Sequence, residues 1–175
     1  MALPSEKTIL VVDDEPDVRQ YLAAILEDAG FNVLTAADGE EALKIIRAER
    51  PDFISLDLIM PRKSGHKLLV ELRRDRELSR IPVLIVTAHA RDDLGKQDLR
   101  DILEGSTMSG PGTYLEKPIQ PLNYVRSIQR ALGIEETEDT SEKLGLKEEL
   151  QKELEGADLE ALRKALEALK ASTNE

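Results

Sequence analysis

Ile54-Ser55-Leu56-Asp57-Leu58-Ile59-Met60-Pro61 decides the fold, because an apolar run of this length closed by proline reads as a strand buried on both faces. Strands of that kind belong to parallel sheets covered by helices, and such sheets bind ligands at the carboxyl ends of their strands. Asp57 is the one charge in the run, and it falls where the strand ends. A carboxylate there loses solvation unless a cation meets it, so the chain should supply a metal or a basic side chain.

The flanking sequence alternates strand and helix. Ile9-Leu10-Val11-Val12 is an apolar, mostly β-branched run ending in Asp13-Asp14-Glu15-Pro16, which reads as strand, loop and helix start. That helix carries Val18, Tyr21-Leu22 and Ile25-Leu26 on one face, and Gly30 closes it. Residues 32–36 form a short strand, and Asp38-Gly39 turns into a helix with Ala42-Leu43 and Ile45-Ile46 inward. Beyond the Asp57 strand, Ser64-Gly65 opens a helix with Leu68-Leu69 and Leu72 inward, and Val83-Leu84-Ile85-Val86 leads to Thr87. A helix is expected over 91–104, a loop over 105–112, a short strand over 113–116 and a last amphipathic helix over 122–132. About five βα units predict an α/β domain with a doubly wound, five-stranded parallel sheet of order 2-1-3-4-5 and helices on both faces.

Composition limits the function classes. The chain has 175 residues, 41% of them hydrophobic, enough for one domain with a real core and an appendage. Its net charge of -11 argues against a general nucleic-acid or anionic-membrane surface. With no cysteine, disulfides, thiol nucleophiles and Cys-ligated zinc are excluded, and the chain suits a reducing cytoplasm. Neither a signal-peptide core nor a bilayer-length apolar run is present, so a cytoplasmic location is expected.

In the expected sheet, Asp13 and Asp14 end the first strand, Asp57 the third, Thr87 the fourth and Lys117 the fifth, so these groups converge at one edge. Three carboxylates in a small space raise one another's pKa unless a hard divalent cation neutralises them, and Mg²⁺ is the natural occupant. A carboxylate beside Mg²⁺ can attack phosphorus to give an acyl phosphate, with Lys117 neutralising the transferred group and the Thr87 hydroxyl bonding a phosphoryl oxygen. An acid pair after a strand is by itself more often a solvated loop or a helix cap; its coincidence with Asp57 and Lys117 reverses that preference.

From about Lys7 to Leu132 the chain resembles a response-regulator receiver domain of two-component signalling. The resemblance rests on Val-Val-Asp13-Asp14-Glu, Leu56-Asp57-Leu-Ile-Met60-Pro61, Gly65, Val86-Thr87-Ala88 and Tyr114-Leu-Glu-Lys117-Pro118, in that order. It implies a flavodoxin-like fold, Asp57 as phosphoacceptor, and Mg²⁺ held by Asp13, Asp14, Asp57 and the backbone carbonyl of Ile59. It also implies Lys117 on the phosphoryl group, a cis peptide at Lys117-Pro118, Thr87 and Tyr114 as the switch pair, and a histidine kinase as partner. The 105–112 loop is longer than that family's usual turn. Two alternatives are a haloacid-dehalogenase-like phosphatase, which wants an acid where Ile59 stands, and a pseudo-receiver that only binds partners, which the complete residue set disfavours.

The expected organisation is a receiver domain over 1–133, an acidic linker over 134–140 and a helical hairpin tail over 141–175. Residues 134–175 carry 13 Asp and Glu against 6 Lys and Arg. Ser141 is expected to cap a helix bearing Leu144, Leu150 and Leu154; Gly156 ends it, and Asp158 caps a helix with Leu159, Leu162, Leu166 and Leu169. No recognition helix or enzyme motif is visible there. The expectation is therefore signalling to an unknown downstream protein by protein contacts, without nucleic acid or membrane, and with the tail available for homodimerisation.

Overall fold

The computed structural model describes residues 3–58, 60, 65–87, 114–135 and 138–172. Among these, five strands form one parallel sheet in the order 2-1-3-4-5, as the alternation predicts. They are Thr8–Val12 (β1), Asn32–Ala36 (β2), Phe53–Leu56 (β3), Val83–Thr87 (β4) and Tyr114–Glu116 (β5). The register places Val12 beside both Ala36 and Leu56, so β1 and β3 end together at the centre of the sheet. Main-chain pairing runs one residue further, with Asp13 N donating to Ala36 O and Asp57 N to Val12 O.

The helices of this part are Pro16–Asp28 (α1), Gly39–Glu49 (α2), Gly65–Arg74 (α3) and Pro121–Leu132 (α4). Strand alternation sends Leu10, Val12, Ile54, Leu56, Val83 and Ile85 to one face, where they pack with Ala42, Leu43 and Ile46 of α2 and Leu68, Leu69 and Leu72 of α3. Residues of opposite parity face the other way, the side of α1 and α4, where Leu22, Ile25, Leu26, Val125 and Ile128 are buried. Asp38 caps α2 by accepting from Glu40 N and Glu41 N, and Gly30 turns the chain after α1 at φ 90°.

Some expectations need correcting. Tyr21, assigned to the inner face of α1, is exposed, and Ala23 is buried instead; spacings of three and four fix a stripe but leave its edges open by about one residue. Ile45 is only partly buried. The helix over 91–104, the 105–112 loop, Ile59, Ser64 and Thr113 lie outside the described residues.

The chain divides into two compact units, Met1–Glu136 and Thr137–Glu175. The second contains Glu138–Gly156 (α5) and Leu159–Ser172 (α6). Asp158 caps α6, its Oδ1 accepting from Ala161 N at 2.8 Å. Ser141 does not cap α5, which begins three residues earlier; Glu138 and Asp139 stand in its first turn, where carboxylates favour a helix. Leu144 is buried but Leu150 is exposed, because six residues advance a helix by about 600°, away from the original face. No helix among the described residues is long and apolar enough to cross a membrane.

Candidate phosphoacceptor site

The carboxyl ends of β1 and β3 bring the acids together. Asp13 follows β1 and Asp57 follows β3, and both are buried, at 1% and 5% exposure. Asp14 is half-buried, and one carboxylate oxygen from each of the three lies within 4.8 Å of the others. Backbone contacts hold this arrangement: Glu15 N donates to Asp13 Oδ1 at 3.0 Å, and Arg19 of α1 donates from Nη1 to the Asp13 carbonyl at 2.8 Å.

Lys117 enters from the end of β5. Its Nζ is 2.9 Å from Asp13 Oδ2 and 3.2 Å from Asp57 Oδ2, with Glu15 Oε1 at 3.5 Å. The bonds to Asp57 and Glu15 are aligned hydrogen bonds. The contact with Asp13 Oδ2 is the shortest of the three, and the same ammonium hydrogen-bonds that buried carboxylate. Burial alone would lower the Lys117 pKa, and the contacts with Asp13 and Asp57 outweigh it, so the ammonium titrates above the ordinary lysine value. The Lys117-Pro118 peptide is cis, as the resemblance implies.

Gly65 explains how close the wall of the site stands. A Cβ on it would collide with the Asp57 carbonyl oxygen and lie 2.8 Å from Leu58 Cα, so α3 starts against the backbone of Asp57 and Leu58. Glycine alone permits that approach.

Asp13, Asp14, Asp57 and Lys117 are thus brought together in space. Thr87 ends β4 and Tyr114 begins β5, with Ile85 beside Tyr114 and Thr87 beside Glu116; their side chains, like Ile59, fall outside the described set. Glu15 and Arg19 join the site without having been singled out in the sequence. Their only signals are position: Glu15 follows the acid pair, and Arg19 stands one turn into the helix it opens.

The donor set suits a small hard cation. Three carboxylates converge there and offer oxygen ligands only. Mg²⁺ prefers few carboxylates and retains water, leaving room for phosphate oxygens.

Comparison with known proteins agrees with this geometry. Residues 9–129 match the response regulator receiver domain family. A probable transcriptional regulator, ycf27 of Cyanophora paradoxa, is 38% identical over 73% of this chain, which spans 49% of that protein. Protein PilH of Pseudomonas aeruginosa is 35% identical over 71% of this chain and 97% of its own length. This chain therefore spans about half of the transcriptional regulator and nearly all of PilH. Among solved structures, the receiver domain of the Pseudomonas aeruginosa sensor histidine kinase PA1611, with magnesium coordinated in its active site cleft, is 28% identical with a TM-score of 0.62, over 73% of this chain and 98% of that one.

Proposed function

Because this chain belongs to the response regulator receiver domain family, we propose that its Asp57 accepts a phosphoryl group from the phosphohistidine of a partner histidine kinase and signals through protein contacts. The supporting observation is the buried Asp57 carboxylate with Lys117 Nζ at 3.2 Å and two further carboxylates beside it. In the transfer, an Asp57 oxygen attacks phosphorus, an O–P bond forms, the donor's P–N bond breaks, and the leaving imidazole takes up a proton. Lys117, already between Asp13 and Asp57, turns its ammonium toward the phosphoryl oxygens. Asp13, Asp14, Asp57 and the Ile59 carbonyl would hold Mg²⁺, which when bound neutralises charge on the transferred group. Thr87 and Tyr114, at neighbouring strand ends, are assigned as the switch pair, the Thr87 hydroxyl bonding the new phosphoryl oxygen. The protein is not a turnover enzyme in this reading, although it labels itself from small donors and loses the group again. A cysteine-free composition suits the cytoplasm.

Incubation with acetyl phosphate tests the metal-dependent step. Labelling is expected with Mg²⁺ and lost with excess EDTA; labelling indifferent to chelation would overturn the reading.

For the helical tail we infer association with a second copy, the receiver role belonging to residues 1–133. Leu146 and Leu150 of α5 and Leu159 and Leu166 of α6 are between 49% and 70% exposed. Helices of 19 and 14 residues draw most of their stability from packing an apolar face rather than from propensity. A four-helix arrangement of two hairpins covers these leucines and leaves the charged residues outside. The acid excess of residues 134–175 is unsuited to a phosphate backbone, which supports protein over nucleic-acid partners.

A further inference from the structure

Lys117 is shared by three carboxylates, and they do not hold it equally. Its ammonium has three protons, and Asp13 Oδ2 at 2.9 Å, Asp57 Oδ2 at 3.2 Å and Glu15 Oε1 at 3.5 Å take up all of them. Asp13 and Asp57 are buried, whereas the Glu15 side chain is 62% exposed and makes the longest contact. Glu15 stands at the N-cap of α1, and its backbone N–H donates to Asp13 Oδ1 at 3.0 Å. A side chain at that position normally turns an oxygen back on the first turn of its helix. Glu15 does not: its carboxylate makes no cap bond and reaches across to the end of β5 instead. A phosphoryl group on Asp57 brings new anionic oxygens to the ammonium, and one of the three existing contacts must then be given up. Stripping a buried carboxylate of its cation leaves an uncompensated charge, while an exposed one is taken over by water at little cost. Glu15 is the partner that can be released.

We propose that Glu15 is a positioning residue that parks Lys117 in the resting protein, and that its release frees the ammonium for the phosphoryl oxygens. The tether acts on uptake and not on loss. Before transfer the Glu15 contact has to be broken, so it slows uptake; once Asp57 is phosphorylated the contact is already gone, and loss of the group proceeds without it. Reach, and not charge alone, makes the difference: Glu15→Asp keeps the charge but is one methylene shorter, so its carboxylate does not span to Lys117. The proposal rests on Asp57 as the phosphoacceptor, and Glu15 itself touches none of the reacting atoms.

Labelling of the full chain by acetyl phosphate with Mg²⁺ tests it, an Asp57 oxygen bonding to phosphorus as the bond from phosphorus to the departing acetate breaks. Initial uptake is expected to be roughly two- to fivefold faster in Glu15→Gln than in wild type, the range that an exposed ion pair spans, with the rate of phosphoryl loss unchanged. Glu15→Asp is expected to match Glu15→Gln. Asp17→Asn, which removes an equal charge from the first turn of α1 without a contact to Lys117, is expected to match wild type. Glu15→Asp behaving as wild type, or Asp17→Asn as fast as Glu15→Gln, would mean that Glu15 only repels an anionic donor and would overturn the tether, as would unchanged uptake in Glu15→Gln. The contact itself is read in unphosphorylated protein with EDTA, where the Lys117 Nζ resonance in nitrogen NMR is expected to shift in Glu15→Gln and Glu15→Asp but not in Asp17→Asn; an unmoved resonance refutes the contact whether or not the chain labels. Wild type that takes up no phosphoryl group would refute the reading of Asp57 and the tether's role with it, a different result from variants that all label at one rate, which sinks the tether alone.

Discussion

Lys117 donates from Nζ to Asp57 Oδ2 across 3.2 Å and a separation of 60 residues. One ammonium thereby serves two buried carboxylates, since Asp13 Oδ2 is at 2.9 Å. Removing it leaves like charges facing each other in a poorly solvated space. Partly buried pairs fall between exposed ones and fully buried ones, so Lys117→Ala is expected to lose about 1–3 kcal/mol in metal-free buffer. Urea unfolding with EDTA measures it, and wild-type stability in the variant would show that the pair does not matter.

Gly65→Ala tests the close wall. The added methyl meets the Asp57 carbonyl and the Leu58 Cα, main-chain atoms that cannot rotate away. A loss of about 1–3 kcal/mol is expected, together with weaker Mg²⁺ binding as the Asp57 backbone is pushed aside. Thermal unfolding and metal titration check the two effects, and an unperturbed variant would contradict the packing described.

Metal should stabilise the folded state alone. At a Mg²⁺ concentration about 100 times Kd, linkage adds about 2.7 kcal/mol, so Tm rises on adding Mg²⁺ and falls back with EDTA. Asp13→Asn should abolish most of that rise, because it removes one of three converging carboxylates. A full Mg²⁺ shift in that variant would count against Asp13 as a ligand.

In the tail, the exposed leucines are the ones to change. Leu159→Asp with Leu166→Asp is expected to convert a dimer into a monomer in sedimentation at tens of micromolar, as is truncation after Leu132. Monomeric wild type at that concentration would exclude the tail as a dimer interface.

How far the sequence carries is visible residue by residue. Runs such as Ile9-Leu10-Val11-Val12 and Val83-Leu84-Ile85-Val86 have little alternative to buried strands, and their alternation with helices predicts the doubly wound parallel sheet that places Asp13, Asp57 and Lys117 at one edge. Contacts set by side-chain reach are not encoded in that pattern. Glu15 stands at the N-cap of α1, yet its carboxylate makes no cap bond and meets Lys117 instead. Tyr21 and Ala23 exchange inside and outside because period alone does not fix the stripe's edge. In the tail, Glu138 and Asp139, two of the acids that suggested a linker, start the helix, since charge density and first-turn preference look alike in a sequence.

The central claim is that Asp57 itself carries the phosphoryl group, and peptide mapping by mass spectrometry after acetyl phosphate and Mg²⁺ treatment tests it most directly. One phosphoryl group per chain is expected, located on the peptide containing Asp57 and absent from a folded Asp57→Asn variant. The same stoichiometry in Asp57→Asn, or a label mapped to another residue of the wild type, would contradict it.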